Sequence, residues 1–231
     1  LGAIGATQES GVKRLALGDD EKVGRDKVVG WMRAAGLDVQ VDGIGNIFGT
    51  RAGRLDKPPA MTGSHLDPVG DGGRLDGAFG VFARLEIIEN LNDRGIEPAR
   101  SITVAAFTNE EGARFQPDMM GSLVHAGGMS LDQALEIRDP QGLHLGDELE
   151  RIGYGGAMPV GSITPHVFVE LHIEQGPILE GEGITLGVVE DLQGISWTEV
   201  VLEGQANHAG TMPMHLRCDT GYCAGAIMVF A

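Results

Sequence analysis

Cysteine is scarce in this 231-residue chain: only Cys218 and Cys223 occur, close together near the C-terminus. Their spacing forms neither a zinc knuckle nor a disulfide framework, and predicts reduced, partly buried thiols. Aromatic residues are sparse as well, at 5%, while glycine is plentiful, with 37 residues. That balance speaks against a helical bundle and for a turn-rich α/β chain. Positive charge is outnumbered, 17 Lys and Arg against 33 Asp and Glu, for a formal net charge of -16. Nucleic-acid binders need basic patches to release counterions, so this balance argues against nucleic acid, and equally against anionic membrane surfaces. No apolar run approaches the roughly 18 residues that span a bilayer, and no charged region leads into an apolar core at the start. The expectation is a cytoplasmic protein whose partner is a small molecule or a cation.

The hydrophobic residues, 42% of the chain, suffice for a sizeable core. In "DKVVGWMRAAGLDVQVD", Val28, Val29, Trp31, Met32, Ala35 and Leu37 recur at helical spacing; Gly36 then stops the helix, and Val39 and Val41 alternate as in a strand. "GVFARLEIIENLNDRG" repeats the helical device with Val81, Leu85, Ile88 and Leu91, and "SITVAAFTNEEG" follows as an apolar strand ending in acids. This succession predicts an α/β domain with a largely buried sheet, whose ligands collect beyond the carboxyl ends of its strands. Loops and a short helix at "SLDQALEIRD" are expected before the strand signal of "HVFVELHIEQG", and two further strands around a Gly194 turn. A domain boundary near Glu190 divides residues 1–189 from 190–231. The chain opens without Met and stops inside an apolar pattern with no helix stop signal, which predicts a piece of a longer protein.

Chemistry concentrates at the predicted strand ends. In "GSHLD", His65 and Asp67 are two apart and share a side of a strand, either as a metal ligand with its orienting acid or as a turn-capping pair. Asp76, in "GGRLDGAFG", is placed to bridge cations or to cap the following helix. A phosphate cradle is disfavoured there, since the loop is acidic and lacks both the P-loop and the dinucleotide glycine spacing. Glu110 and Glu111 end the next strand; adjacent extended residues face opposite ways, so one could bind metal while the other moves a proton, or both could be a solvated turn. His172 stands in "ELHIEQG" with Glu170, Glu174 and Gln175, and His208 lies in a glycine-containing loop, "NHAGTMP". Strand-end His, Asp and Glu without Cys ligands suit a dication such as zinc or manganese, and a shared carboxylate would allow two metals about 3.5–4 Å apart.

Taken in order, "GSHLDPVGDGGRLDGAFGV", "FTNEEGARF", "VELHIEQGPILE" and "GQANHAGTMPMHLRCD" resemble the successive motifs of the hydantoinase/carbamoylase amidases, which include N-carbamoyl-L-amino-acid hydrolases, allantoate amidohydrolases and β-ureidopropionases. The resemblance implies a phosphorylase/hydrolase-like catalytic domain, a largely parallel mixed sheet flanked by helices, over residues 1–189. Residues 190–231 would begin a smaller inserted α/β domain through which two subunits dimerise. It implies two divalent ions, Zn2+ or Mn2+ with Co2+ or Ni2+ as alternatives, and a small ureido or N-carbamoyl substrate whose C–N bond is hydrolysed. His65, Asp76, Glu111 and His172 would be metal ligands, Asp76 bridging; Glu110 would be the general base, Asp67 would orient His65, and Gln175 and His208 would contact substrate. Pro68 stands where the family usually has Thr, removing an N–H donor from that loop. The family's substrate-carboxylate arginine and last metal-binding histidine fall beyond this sequence, so a reading of another class is a catalytically incompetent metal-binding fragment.

Overall fold

A computed structural model describes every residue of the chain except Ile195, Trp197 and Ala231. It divides into two units, Leu1–Pro177 and Ile178–Ala231.

In the first unit the order is α1 (Asp19–Ala34), β1 (Asp38–Val41), β2 (Ile47–Arg51), β3 (Ala60–His65), α2 (Ala78–Asp93), β4 (Ile102–Phe107), α3 (Met120–His125), α4 (Leu131–Leu135), α5 (Leu145–Ile152) and β5 (Val167–Val169). Helix α1 starts with Asp19, Asp20 and Glu21, which favour the positive end of its dipole, and buries Val28, Val29 and Met32. Its stripe also carries a charged pair, Glu21 and Arg25, both buried. Trp31 is 39% exposed and packs edge-on against Phe82. Helix α2 buries Val81, Leu85 and Ile88 as its spacing predicted.

The sheet order is β1-β2-β4-β3-β5. Strands β1 and β2 pair antiparallel, as do β2 and β4, whereas β4, β3 and β5 run parallel. The sheet is therefore mixed, with its parallel half carrying the predicted site. Its main core joins helical residues such as Met32, Ile88 and Leu149 to Ile47, Val104 and Ala106; a smaller cluster, Phe48, Met61, Ala105 and Phe107, lies elsewhere on the sheet. Parallel pairing aligns His65 with Phe107 at the carboxyl ends of β3 and β4. The segment after β5 reaches that same edge with His172.

The second unit contains α6 (Ile178–Glu182), a 3-10 turn (Met214–Leu216) and α7 (Thr220–Phe230). The strands expected around Gly194 do not appear among the described residues from Gly187 to Asn207; Ile195 and Trp197, part of that expectation, lie outside them. No described residue of this unit is buried, and Cys218 and Cys223 are both exposed free thiols. The expected partial burial of these two thiols is therefore not found. Among the described residues, no helix is long and apolar enough to cross a membrane.

Candidate metal centre

His65 is the last residue of β3 and is 1% exposed. Its Nδ1 lies 2.8 Å from the Asp67 backbone oxygen. A carbonyl can only accept, so Nδ1 donates, and in the neutral ring Nε2 then presents the lone pair. His172 repeats the arrangement, with Nδ1 2.9 Å from the Ile173 oxygen. The two rings stack with centroids 5.6 Å apart, and their Nε2 atoms face each other at 3.4 Å. Asp76 Oδ1 lies 3.4 Å from His172 Nε2 and 3.9 Å from His65 Nε2.

Asp76 is 4% exposed, and its side chain does not cap α2, which begins from Gly77. The turn is tight: the Ala78 N–H donates to the Asp76 carbonyl at 2.5 Å, with Gly77 at φ 57, ψ -47. A Cβ on Gly77 would stand 2.5 Å from three atoms of the His65 ring, so glycine here lets the chain pass directly over the imidazole. Gly80 serves a similar purpose one turn later, where a Cβ would meet the Leu171 carbonyl oxygen at 2.6 Å and Ser64 Cβ at 2.7 Å.

Beyond β4 the backbone leaves the extended form. Asn109 adopts φ 51 and is held by its amide, which donates to the Phe115 carbonyl at 2.8 Å. Glu110 and Glu111 consequently do not face opposite ways: each offers an oxygen to one cluster with His65, and Glu110 Oε2 is 3.4 Å from His65 Nε2. Asp67, also buried, departs from its expected role in detail. Its carboxylate is 4.0 Å from His65 Nδ1 and instead accepts from the Glu110 and Glu111 amides, each at 3.3 Å. The ring is oriented by the Asp67 carbonyl, the glutamates by its carboxylate.

The acids are crowded. Burial, followed by the nearby Glu21 charge, pushes the Asp67 carboxyl up to about 8 against the pull of the Glu110 and Glu111 amides. Burial also pushes Glu111 up to about 8, with a hydrogen bond to Asp76 and that group's charge adding to it. Glu110 is raised by burial, with His65 opposing and Glu170 adding. Gln175, at φ 54, donates its Nε2 to Asp76 Oδ1 at 3.1 Å.

Among the described residues, two sets of side chains can hold a metal ion, His65, Asp76 and His172, and His65, Glu110 and Glu111. Opposed imidazole lone pairs and three carboxylates form a donor set of N and O atoms that fits divalent cations and nothing anionic. The sequence-predicted residues His65, Asp67, Asp76, Glu110, Glu111, His172 and Gln175 thus come together in the first unit. His208 belongs to the second unit, where its Nδ1 accepts from the Gly210 and Thr211 amides at 3.0 and 3.2 Å.

Sequence reasoning passed over two buried arginines behind the centre. Arg25 is paired with Glu21 at 2.6 Å and donates to the Gly45 carbonyl at 2.6 Å and to Thr108 Oγ1 at 3.1 Å. Arg14 grips the Leu66 carbonyl through Nε at 3.1 Å and Nη2 at 2.8 Å. The signal for the first was available: Glu21 and Arg25 sit at i and i+4 on the apolar stripe that continues to Val28 and Met32.

Comparison with known proteins agrees with the geometry. A profile of the peptidase family M20/M25/M40 matches residues 61–224. The N-carbamoyl-L-amino-acid amidohydrolase of Rhizobium meliloti is 42% identical over 99% of this chain and 55% of its own length. The allantoate amidohydrolase of Escherichia coli is 35% identical over 98% of this chain and 56% of its own. A crystal structure of an amidase of the hydantoinase/carbamoylase family from Burkholderia vietnamiensis superposes with a TM-score of 0.86 at 44% identity, over 98% of this chain and 55% of that one. The chain spans about half the length of these relatives.

Proposed function

Because the chain belongs to the peptidase family M20/M25/M40, we propose that it forms the metal-binding part of an amidohydrolase that cleaves the carbamoyl C–N bond of N-carbamoyl-L-amino acids. The observation that carries this reading is the meeting of the two Nε2 atoms of His65 and His172 and the Asp76 carboxylate at one point. His65 and His172 would hold one cation, Glu111 a second, and Asp76 would bridge them, with Zn2+ or Mn2+ the ions that suit these donors. Such cations supply Lewis-acid polarisation of a carbonyl and make a water acidic near neutral pH.

Glu110 is the proton carrier in this reading. It is 30% exposed at its side chain and raised above the usual carboxylate range by burial, which suits an acid that accepts a proton from water and returns it to the leaving nitrogen. Asp67 holds the backbone of both glutamates, and so sets where that proton is carried. Gln175, already bonded to Asp76, and His208 would contact the substrate. Residues 190–231 would open a dimerisation domain, and two free thiols fit a reducing compartment such as the cytoplasm.

Replacing Glu110 with Gln in the protein tests the assignment. Metal content should be unchanged, while hydrolysis of N-carbamoyl-L-amino acids should fall by about 10²- to 10⁴-fold, the usual worth of a positioned acid–base group. Near-normal turnover with metal retained would overturn it. The same assay run with allantoate and β-ureidopropionate decides which ureido compound is the substrate.

A further inference from the structure

Arg14 directs a buried charge at two peptide carbonyls, with two of its three bonds on one of them. It is 1% exposed, and burial pulls its guanidinium below its ordinary range, with the Glu21, Asp67 and Asp20 charges opposing. All its bonds go to carbonyls: Nη1 to Ile4 at 3.1 Å, and both Nε and Nη2 to Leu66. Burying a guanidinium is costly unless its donors are well used.

Leu66 is the residue between His65 and Asp67. The next residue does two jobs: the Asp67 carbonyl takes the Nδ1 proton of His65, and the Asp67 carboxylate takes the amides of Glu110 and Glu111. Residues 65–67 are therefore the joint between the ligand at the end of β3 and the acids beyond β4. Rotation of the Leu66 peptide would move the Asp67 carbonyl away from His65 and its carboxylate away from the two amides.

We propose that Arg14 is a positioning residue of the metal centre: its two-pronged grip on the Leu66 carbonyl holds His65 with Nε2 facing the cation and keeps Asp67 beneath Glu110 and Glu111. This inference rests on the metal-centre reading above. A group that only propped up the fold would lower the melting temperature and leave the affinity of the folded protein alone.

The test compares Arg14→Met, Arg14→Lys and Ile88→Ala, the last removing core volume on α2. Mn2+ is titrated calorimetrically into each metal-free protein at a temperature where circular dichroism shows it folded, and 15N NMR of the imidazoles reports the His65 tautomer. Arg14→Met should weaken Mn2+ binding about 10- to 100-fold, as removal of groups that orient metal ligands does, and should mix the His65 tautomers. Arg14→Lys should fall between, since an ammonium keeps the charge but not the fork. Ile88→Ala should lower the melting temperature with Kd within about twofold of the unsubstituted protein. Arg14 variants that fold and bind Mn2+ as the unsubstituted protein does would overturn the inference alone. Should Arg14→Met fail to fold, Arg14→Lys decides: weaker binding sustains the proposal, unchanged Kd with a single tautomer overturns it. An unsubstituted protein that takes up no Mn2+ would overturn the metal-centre reading and this inference together.

Discussion

Gly77→Ala puts the geometry of the centre to a direct test. The residue sits at φ 57, ψ -47, inside a three-residue turn closed by the Ala78 N–H on the Asp76 carbonyl, a strained conformation for any L-residue. Forcing Ala to positive φ costs about 1–2 kcal/mol. The new methyl would also meet the His65 ring at 2.5 Å, and overpacking of this kind adds about 1–3 kcal/mol. The total of about 2–5 kcal/mol is a large share of a domain's stability, about 5–15 kcal/mol. With a urea slope of about 2 kcal/mol per molar, the unfolding midpoint should drop by about 1–2.5 M. Any relief must push the imidazole off its line to Asp76 and His172, so Mn2+ affinity should fall about tenfold or more. Gly73→Ala is the control, because a Cβ there meets nothing within 4 Å; it should stay within about 0.5 kcal/mol of the unsubstituted protein. A Gly77→Ala midpoint within a few tenths molar of the control, with Mn2+ affinity intact, would refute the close-approach argument.

Acid titration offers a second check. Asp67 and Glu111 are both raised to about 8, so the stability that comes from their neutral forms is fully present only below the ordinary carboxylate range, about pH 4, and is lost progressively as pH rises from there through about 8. The metal-free protein should therefore show a urea midpoint that falls between about pH 5 and about pH 8 and levels off above it, less steeply in Asp67→Asn, whereas the lowered carboxyls Asp139 and Glu148 act only at more acid pH. A flat profile over that interval would contradict the crowding described. Arg25→Met should cost about 3–5 kcal/mol because it strands Glu21 in the core; the double variant with Glu21→Gln should cost clearly less than the sum of the single changes in a denaturation cycle, and simple additivity would mean the pair is not coupled. His172→Ala should sharply reduce Mn2+ uptake while His208→Ala leaves it unchanged, which metal titration of the two variants would settle.

Much of this architecture was legible from residue order. Period-3.6 apolar spacing located α1 and α2, and the unbroken apolar stretch before "TNEEG" located β4, because each element buries one continuous stripe or face. Clustered His, Asp and Glu at those ends pointed to a cation. What escaped was what spacing does not encode. The outward or inward direction of Glu110 and Glu111 depends on Asn109 turning at φ 51, a bend held by the Phe115 carbonyl and invisible to strand alternation. The exchange of roles within Asp67, carbonyl to His65 and carboxylate to the glutamate amides, is a matter of backbone rotation. Arg14 is remote in sequence from Leu66, so no local pattern links them. The strand signal around Gly194 came from alternating apolar residues such as Val188, Val200 and Val201, which are exposed; alternation stabilises a strand only where a neighbouring strand and a covering layer exist.

The parallel register of β3 against β4 carries a consequence for quality control of the fold. Because His65 pairs with Phe107, a slip of one residue between these strands would turn His65 through the sheet to its opposite face and leave Leu66 in its place. Bulk helicity and compactness would hardly notice such an error. Cation uptake would register it at once, so this centre doubles as an internal gauge of whether the sheet has been assembled in step.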